Sequence, residues 1–281
     1  MKVIEKVSEM RSWSEAERCA GKRIVLVPTM GALHAGHLAL VREGKKSGDR
    51  TVVSLFVNPK QFAPGEDYNS YPRDLERDRL LLEKEAVDIL FHPSVEEMHP
   101  DGNQTYVEVD KLGGLLCGLS RPGHFRGVTT VVAKLFNIVR PHVAVFGLKD
   151  YQQFQIVRRM VTDLRFDIEI IGHPIVREKD GLAMSSRNAY LGARERAAAR
   201  CLHRSLEKAA LLARQGEREA GRIVSAVKEE IGSEPLARVE YVSLCDPRSL
   251  EELEAIAGEA LLALAVRIGK ARLIDNTLLK A

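Results

Sequence analysis

Short, β-rich apolar segments alternate with amphipathic stretches over the first two-thirds of the chain. The apolar segments are Ile24–Val27, Thr51–Val57, Ile89–Phe91, Val143–Phe146 and Ile168–Ile171. Each has the length of a buried strand, and the stretches between them have helical periodicity. Because strands that alternate with helices are typical of parallel sheets, the pattern predicts an α/β domain built on a parallel sheet.

One of the intervening stretches carries a long apolar stripe. Apolar residues recur there at spacings of three and four, at Phe125, Val128, Val132, Leu135, Phe136 and Val139. This spacing predicts a helix that packs one face against the sheet, with Lys134 on the opposite face.

The pattern changes after about Pro174. Two stretches predict helices, Ala193–Gln215 and Ala220–Ile231, and three short stretches predict strands, Val239–Leu244, Leu262–Ile268 and Leu273–Ile274. We therefore expect two domains, residues 1–175 with the parallel sheet and residues 176–281 as a smaller α+β domain. The segment 176–191, rich in Gly, Ser, Arg and Asn, joins them.

Composition narrows the class of protein. The 281 residues are 45% apolar and 29% charged, which is ordinary for a globular protein, and the net charge of +3 is too small to indicate a nucleic-acid or membrane surface. The four cysteines form no C-x-x-C pair, so neither a zinc site nor a redox pair is indicated. The N-terminus lacks the apolar region of a signal peptide, and no apolar run approaches the length of a membrane span. We expect a cytoplasmic protein.

The segment from Val25 to His37, VLVPTMGALHAGH, is the most informative part of the chain. A buried strand leads through a Gly-containing turn into a helix, whose N-terminal N–H groups and positive dipole end favour an anion. Gly36 permits close approach of a ligand, and His34 and His37, three residues apart, lie on one face of the helix. Two core or surface histidines, or two metal ligands, would give the same spacing, although no third ligand follows nearby.

Further polar groups follow the later strands. Asn58 and Gln61 end the second strand, where ordinary turn chemistry would also explain them. After the strand Val143–Phe146, a capping box would account for Asp150 and Gln153, but it leaves Lys149 unexplained. A lysine at this position can offset charge on transferred phosphate.

Two loops complete the candidate chemistry. The loop Arg121–Val128 contains His124 and Arg126. Such residues usually face solvent, although an arginine at a helix start beside a phosphate site can also clamp its charge. Gly181–Asn188 offers two hydroxyls and a guanidinium on a Gly-flanked loop that can close over polyphosphate, although a polar turn that caps the next helix is the simpler explanation.

These blocks resemble a known family. His34-Ala35-Gly36-His37 resembles the H-x-G-H element of the nucleotidyltransferase superfamily. Five ordered blocks between Val25 and Leu191 resemble the pantothenate synthetases more narrowly, including Tyr71-Pro72-Arg73-Asp74, which is similar to a stretch that closes over substrate. The tail after Leu191 carries no such motif.

The resemblance implies a Rossmann-like domain that binds ATP and pantoate in residues 1–175 and a lid domain in residues 176–281. It implies that pantoate, β-alanine and ATP with Mg²⁺ are the small-molecule substrates and that the chain forms a homodimer. From the low net charge we expect neither nucleic acid nor membrane as a partner. The implied catalytic residues are His37, His34, Lys149, Ser186 and Arg187. The implied ATP-binding residues are Met30, Gly31, Ala32, Leu33, His34, Ala35, Gly36, His37, Gly147, Leu148, Lys149, Asp150, Val176, Met184, Ser185, Ser186 and Arg187. The implied substrate-binding residues are Gln61, Gln153, Asn58, Thr29, Arg126 and Tyr71, with Mg²⁺ carried mainly by the ATP phosphates and Asp150 as a candidate ligand.

One departure and two alternatives remain open. The family commonly has Glu where Leu148 stands, and a backbone role there would survive the change whereas a side-chain role would not. An adenylyltransferase that stops after transferring AMP would share the H-x-G-H element. A nucleotide- or RNA-binding regulator is the alternative outside the enzymes, and the low net charge argues against RNA.

Overall fold

The computed structural model describes all residues from Met1 to Ala281, and the chain forms two compact units. The first unit contains Met1–Gly113, Arg121–Leu148 and Gln153–Pro174. The second contains Gly114–Ser120, Lys149–Gln152 and Ile175–Ala281. Two short segments from the first part of the chain thus belong to the second unit, so one cut does not separate the units. The predicted ATP-binding and lid roles remain predictions.

The first unit is built on a six-stranded sheet in the order β1-β4-β3-β2-β5-β6, in which every neighbouring pair is parallel. The strands are β1 (Lys2–Ile4), β2 (Ile24–Thr29), β3 (Arg50–Leu55), β4 (Ile89–Phe91), β5 (Val143–Gly147) and β6 (Glu169–His173). The predicted parallel α/β sheet is confirmed. β1 was not predicted, because three residues at a sheet edge show no periodicity.

Both faces of this sheet are covered. Along β2, Ile24 and Leu26 join one apolar cluster, whereas Val25 and Val27 join another, and all four are fully buried. Since successive side chains of a strand point to opposite faces, a strand that is covered on both sides must be apolar throughout. This is why the sequence shows uninterrupted apolar runs rather than an alternating pattern.

Helices and 3-10 turns connect the strands. The helices of the chain are α1 (Val7–Cys19), α2 (Ala35–Lys45), α3 (Leu75–Lys84), α4 (Val95–Met98), α5 (Asp110–Gly113), α6 (Cys117–Ser120), α7 (His124–Val139), α8 (Tyr151–Asp163), α9 (Ala193–Arg214) and α10 (Ala220–Gly232), and the 3-10 turns are Pro59–Gln61, Leu148–Asp150 and Ser186–Tyr190. The predicted apolar stripe lies on α7 and is buried. No helix has both the length and the apolar character needed to cross a membrane.

The strand order changes direction beside β2. From β2 the chain builds β3 and β4 on one side, and it later returns to place β5 and β6 on the other. In open α/β sheets, ligands bind outside the carboxyl ends of the strands at such a switch point. The turn after β2 lies at this position in the first unit.

The second unit contains an antiparallel sheet in the order β7-β8-β9, with β7 (Ala237–Cys245), β8 (Glu259–Ile268) and β9 (Ala271–Lys280). Helices α9 and α10 pack on it around a buried apolar cluster, which confirms the smaller α+β arrangement. The prediction of Leu273–Ile274 for the last strand was too short. Polar Asp275 and Asn276 interrupt its apolar pattern, although both are buried.

Candidate active site

The turn after β2 is held by a buried carboxylate. Gly31 and Ala32 have positive φ angles of 82° and 50°, which bring the chain sharply out of the strand. Leu33 N–H donates to Asp78 Oδ1 at 2.8 Å, and Asp78 is only 1% exposed. Burial raises the pKa of Asp78, while the Leu33 and Ala32 N–H groups oppose that shift. Asp78, which sequence reasoning missed, therefore fixes the turn that precedes the two histidines.

His34 and His37 form the N-terminal cap of α2. Gly36 N–H donates to His34 Nδ1 at 3.2 Å, His34 N–H donates to His37 Nδ1 at 3.3 Å, and the ring centroids are 4.0 Å apart. Each Nδ1 accepts a backbone proton, so a neutral imidazole at either position carries its proton on Nε2. The structure confirms that both residues lie together at a helix N-terminus and gives each ring a defined tautomer.

This helix end differs from the predicted one in one respect. The N-terminal N–H groups of the helix were expected to be available to an anion, whereas the Gly36 N–H donates to His34 Nδ1. The first turn of α2 contains no acidic residue, so nothing there opposes the positive end of the helix dipole. The binding of an anion at this helix end stays a prediction.

Asn58 and Gln61 lie in the turn after β3, and both are buried. Asn58 Nδ2 donates to Gln61 Oε1 and to Gly127 O, each at 3.1 Å. Gln61 Nε2 in turn donates to Met30 Sδ at 3.0 Å. The turns after β2 and β3 therefore meet, as expected for neighbouring parallel strands, and Gln61 directs its amide nitrogen toward the turn that follows β2.

Other predicted substrate residues have partners within the first unit. The Thr29 hydroxyl donates to Ser54 O at 2.8 Å, so its proton is used within the sheet. Tyr71 is buried and packs edge-on against Phe62. Arg126 is exposed and lies over the Tyr106 ring, with Cζ 4.1 Å from the centroid.

A second group of side chains binds the backbone carbonyl oxygen of Gln61. His124 Nδ1 lies 2.7 Å from Gln61 O, and Arg121 Nη1 lies 3.0 Å from His124 Nε2. Since the guanidinium can only donate, His124 accepts on Nε2 and donates from Nδ1. Arg121 also forms a bidentate pair with Glu66 at 2.6 Å, and this pairing lowers the pKa of Glu66 against its burial. Glu66 was not predicted, since a single Glu in a polar loop carries no pattern.

The remaining predicted residues belong partly to each unit. Gly147, Leu148 and Gln153 are in the first, and Lys149, Asp150, Val176, Met184, Ser185, Ser186 and Arg187 are in the second. In the second unit, Lys149 O accepts from Asn276 Nδ2 at 3.0 Å, which fixes the lysine backbone to β9. Asp150 is exposed.

The two adjacent glutamines of α8 differ in their surroundings. Gln152 Oε1 accepts from Cys117 N–H at 3.0 Å, and Gln152 Nε2 donates to Leu115 O at 2.6 Å. Gln152 is therefore a structural residue that holds the segment before α6. Gln153, the predicted substrate residue, is only partly buried.

The predicted Gly-flanked loop, Gly181–Asn188, belongs to the second unit and includes the end of a short hairpin and the start of a 3-10 turn. Residues 176–184 form a hairpin in which Met184 N–H donates to Val176 O and Glu178 N–H donates to Leu182 O. Ser185 then caps the 3-10 turn through the Arg187 N–H, at 3.2 Å. The simpler explanation of a polar cap thus holds for Ser185.

An ion pair ties this hairpin to the sheet. Arg177 donates twice to Asp275 of β9, at 2.7 and 3.0 Å, and the Asp275 side chain is fully buried. The hairpin that directly precedes Ser186 and Arg187 is therefore fixed to the antiparallel sheet.

One cavity of the first unit lies beside the turn after β2. Its volume is about 410 Å³, and it touches the Met30–Ala32 turn and Asp78, but none of His34, His37 and Gln61 lines it. No group of three or more His, Cys, Asp or Glu side chains in the chain could hold a metal ion.

Comparison with known proteins points to one family. The sequence profile described as Pantoate-beta-alanine ligase matches residues 2–278. The pantothenate synthetase of Heliobacterium modesticaldum is 56% identical over 276 residues, covering 98% of each chain, and that of Thermotoga petrophila is 56% identical over 279 residues, covering 99% of this chain and 100% of the relative. The crystal structure of pantothenate synthetase from Thermus thermophilus superposes with a TM-score of 0.94 at 47% identity, covering 99% of both chains. The pantoate-beta-alanine ligase from Francisella tularensis, described as complexed with beta-gamma ATP and beta-alanine, gives a TM-score of 0.82 at 33% identity, covering 99% of this chain and 97% of that one.

Proposed function

Because the chain belongs to the pantoate–β-alanine ligase family, we propose that it joins pantoate to β-alanine in an ATP-dependent reaction through a pantoyl-adenylate. A pantoate carboxylate oxygen attacks the α-phosphorus of ATP, and the bond to pyrophosphate breaks. The neutral amine of β-alanine then attacks the acyl carbon, loses a proton, and displaces AMP to give pantothenate. The observation that supports this most directly is the imidazole pair at the N-terminus of α2.

His34 and His37 act as hydrogen-bond donors to phosphate oxygens. With Nδ1 committed to backbone N–H groups, each neutral ring offers an Nε2 proton, and these donors stabilise the charge that develops as pyrophosphate leaves. The helix dipole adds to the effect. We assign the other contacts to the phosphate oxygens to three side chains. They are the ammonium of Lys149, the hydroxyl of Ser186 and the guanidinium of Arg187, which can bind two oxygens at once.

Gln61 and Gln153 are assigned to pantoate. Gln61 is buried with its amide nitrogen directed toward the turn after β2, which suits donation to a carboxylate or hydroxyl oxygen. Leu148 stands where the family commonly has Glu, and only the backbone can act there.

Mg²⁺ fits this chain as part of the ATP substrate. The structure has no cluster of three ligand side chains, and Asp150 is the exposed carboxylate we assign beside the metal. The family resemblance also supports a homodimer, which sedimentation velocity over a range of protein concentrations would detect.

Isotope exchange between pyrophosphate and ATP tests the first half-reaction. We expect exchange that requires pantoate and does not require β-alanine, and AMP release that requires both. Exchange that requires another carboxylic acid in place of pantoate would identify a different substrate, and exchange with no added acid would contradict a pantoyl-adenylate. AMP transfer that never depends on an amine would support an adenylyltransferase instead.

Substitution tests the residue roles. His37→Ala and Lys149→Ala should each lower the rate of pantoate-dependent exchange by at least about 100-fold while the circular dichroism spectrum is unchanged, because each removes a donor to developing charge. Lys270→Ala is the matched control, since Lys270 is exposed in the turn between β8 and β9. Exchange at the wild-type rate in either folded variant would contradict the assignment.

A further inference from the structure

A row of polar side chains leads from Gln61 into the first unit. It begins at Asn58, which is 1% exposed. Asn58 Oδ1 accepts from Lys60 N–H at 3.2 Å and lies 2.9 Å from His99 Nε2, while Asn58 Nδ2 donates to Gln61 and Gly127. All the ordinary hydrogen-bonding capacity of this amide is therefore used within the protein.

The row continues from His99 to Lys134 of α7. Lys134 Nζ lies 3.2 Å from His99 Nδ1, and it donates to Met98 O at 2.7 Å and to Asn103 Oδ1 at 2.5 Å. Three acceptors around one ammonium use all three of its protons. Lys134, predicted on the polar face of α7, thus points at a defined set of acceptors rather than into solvent.

Groups at both ends of the row determine which partner donates in each of its hydrogen bonds. The Lys60 N–H can only donate and Gly127 O can only accept, so both favour an Asn58 that presents oxygen to His99 and nitrogen to Gln61. The proton on His99 Nε2 adds a third bond that requires the same orientation. The ammonium at the other end can only donate, so His99 accepts on Nδ1 and carries its proton on Nε2. The pKa of His99 is lowered to about 4 by burial and by the charges of Lys134 and Lys60, so the ring is neutral at physiological pH.

We propose that Lys134, His99 and Asn58 are positioning residues that hold the Gln61 amide in one orientation, with its nitrogen toward pantoate. The two ends of a glutamine amide have nearly the same shape, so packing alone does not select between them. A flipped Gln61 would present an oxygen to the oxygen atoms of pantoate and would lose its bond from Asn58. The row removes this alternative, and it makes Asn58 a support for the pantoate site rather than a pantoate ligand. This inference rests on the proposed function of Gln61.

Two substitutions of His99 separate positioning from general stability. His99→Gln keeps an amide N–H that can donate to Asn58, whereas His99→Met fills similar space without a donor. We expect the KM for pantoate to rise about tenfold in His99→Met and to stay within about threefold of wild type in His99→Gln, with the KM for ATP unchanged in both. Equal pantoate KM values in the two variants would overturn the proposal.

His142→Met is the matched control. His142 is also partly buried and supports the fold, since its Nδ1 accepts from Ile24 N–H at 3.0 Å, but it directly precedes β5, at the amino ends of the strands rather than at their carboxyl ends. This variant should lose stability and keep the wild-type KM for pantoate. A tenfold rise here would show that any loss of stability disturbs the site, and it would overturn the positioning role.

Nitrogen-15 NMR of histidine-labelled protein tests the row without substitution or turnover. The expected spectrum places the His99 proton on Nε2 from about pH 8 down to about pH 5, and Lys134→Met should raise the pKa of His99. A proton on His99 Nδ1 in the wild-type protein would mean that His99 cannot donate to Asn58, and it would overturn the proposal. The spectrum is readable even if pantoate-dependent exchange is absent, so failure of the proposed function would be recognised separately.

Discussion

At the scale of single residues, backbone N–H groups decide how each imidazole at the start of α2 is used. The His34 and His37 ring centroids lie 4.0 Å apart, with the planes tilted by 30°. Their tautomers depend on the N–H groups from which each Nδ1 accepts, and those bonds exist only in the folded turn. The spacing of the two histidines predicts a shared helical face but not these bonds. The orientation of the Asn58 amide depends in the same way on His99 and Gly127, which are distant in sequence.

His99 should make the protein sensitive to mild acid. Its pKa is near 6.5 in the unfolded chain and about 4 in the folded protein, so between these values the unfolded state binds more protons. The contribution of His99 to stability is therefore fully present above about pH 6.5 and is lost as the pH drops toward 4, and it amounts to less than about 3 kcal/mol because solvent screens a partly exposed group.

Urea denaturation at a series of pH values measures this loss. His99→Gln should flatten the curve between about pH 6.5 and pH 4, because the amide does not titrate. Parallel curves for wild type and His99→Gln would show that other groups cause the loss of stability in acid.

At the scale of elements, the contact between α7 and the turn Pro59–Gln61 is close enough to exclude a side chain. A Cβ at Gly127 would lie 2.3 Å from Lys60 O and 2.6 Å from Lys60 C, both of them backbone atoms. Gly127→Ala should therefore destabilise the protein by about 1–3 kcal/mol and shift the turn that carries Gln61.

The kinetics and stability of Gly127→Ala should change together. We expect a higher KM for pantoate than in wild type, measured beside the midpoint of thermal unfolding. Gly232→Ala is the control, because a Cβ there would meet nothing within 4 Å at the end of α10. An unchanged midpoint in Gly127→Ala would show that the helix can move away at little cost.

The hairpin of residues 176–184 should depend on Asp275. Asp275→Ala leaves Arg177 without its bidentate partner and Asn276 N–H without its acceptor, and breaking a buried pair of this kind costs about 3 kcal/mol. Hydrogen exchange at the Glu178 and Met184 N–H groups should accelerate. Glu259→Ala, which removes an exposed pair with Lys280, should leave those rates unchanged. Slow exchange in Asp275→Ala would mean that the backbone bonds suffice.

Elements differed in how well the sequence predicted them. Strands β2 to β6 and helices α7, α9 and α10 were predicted within a few residues, because burial on defined faces imposes a regular apolar pattern. β9 was underestimated, since Asp275 is buried as an ion-pair partner and such a residue resembles a loop residue in sequence. The hairpin of residues 176–184 was predicted as a loop because its polar residues, like Asp275, resemble loop residues in sequence.

At the scale of the whole molecule, the four cysteines should differ sharply in reactivity. Cys19 is exposed, whereas Cys117, Cys201 and Cys245 are buried, and burial raises the pKa of Cys201 to about 11 and that of Cys245 to about 12. Since the thiolate is the reactive form, a thiol reagent should modify Cys19 rapidly in the native protein and all four cysteines after unfolding.

Mass spectrometry after brief labelling assigns the modified positions. Cys19→Ser should abolish the rapid labelling of the native protein and leave the slow labelling of the buried cysteines. Rapid labelling of Cys201 in the native protein would show that the core of α9, α10 and the antiparallel sheet opens readily.

The order of motifs predicted the family from the first two-thirds of the chain, and the profile match over residues 2–278 confirms it. Sequence reasoning did not predict that Gly114–Ser120 and Lys149–Gln152 belong to the second compact unit. Their partners, such as Asn276 for Lys149, can lie 127 residues away, and no local pattern records a contact of that kind.

This arrangement affects how such genes can recombine. A crossover between two relatives after Pro174 would take Lys149 and Gln152 from one parent and Asn276 from the other, so each chimera would inherit its second unit from both ancestors. Because Asn276 bonds the backbone oxygen of Lys149, exchange of residues 175–281 between species should succeed best where Asn276 is kept. The constraint on recombination thus falls on one side chain of β9, since a bond to the main chain tolerates substitution of Lys149 itself.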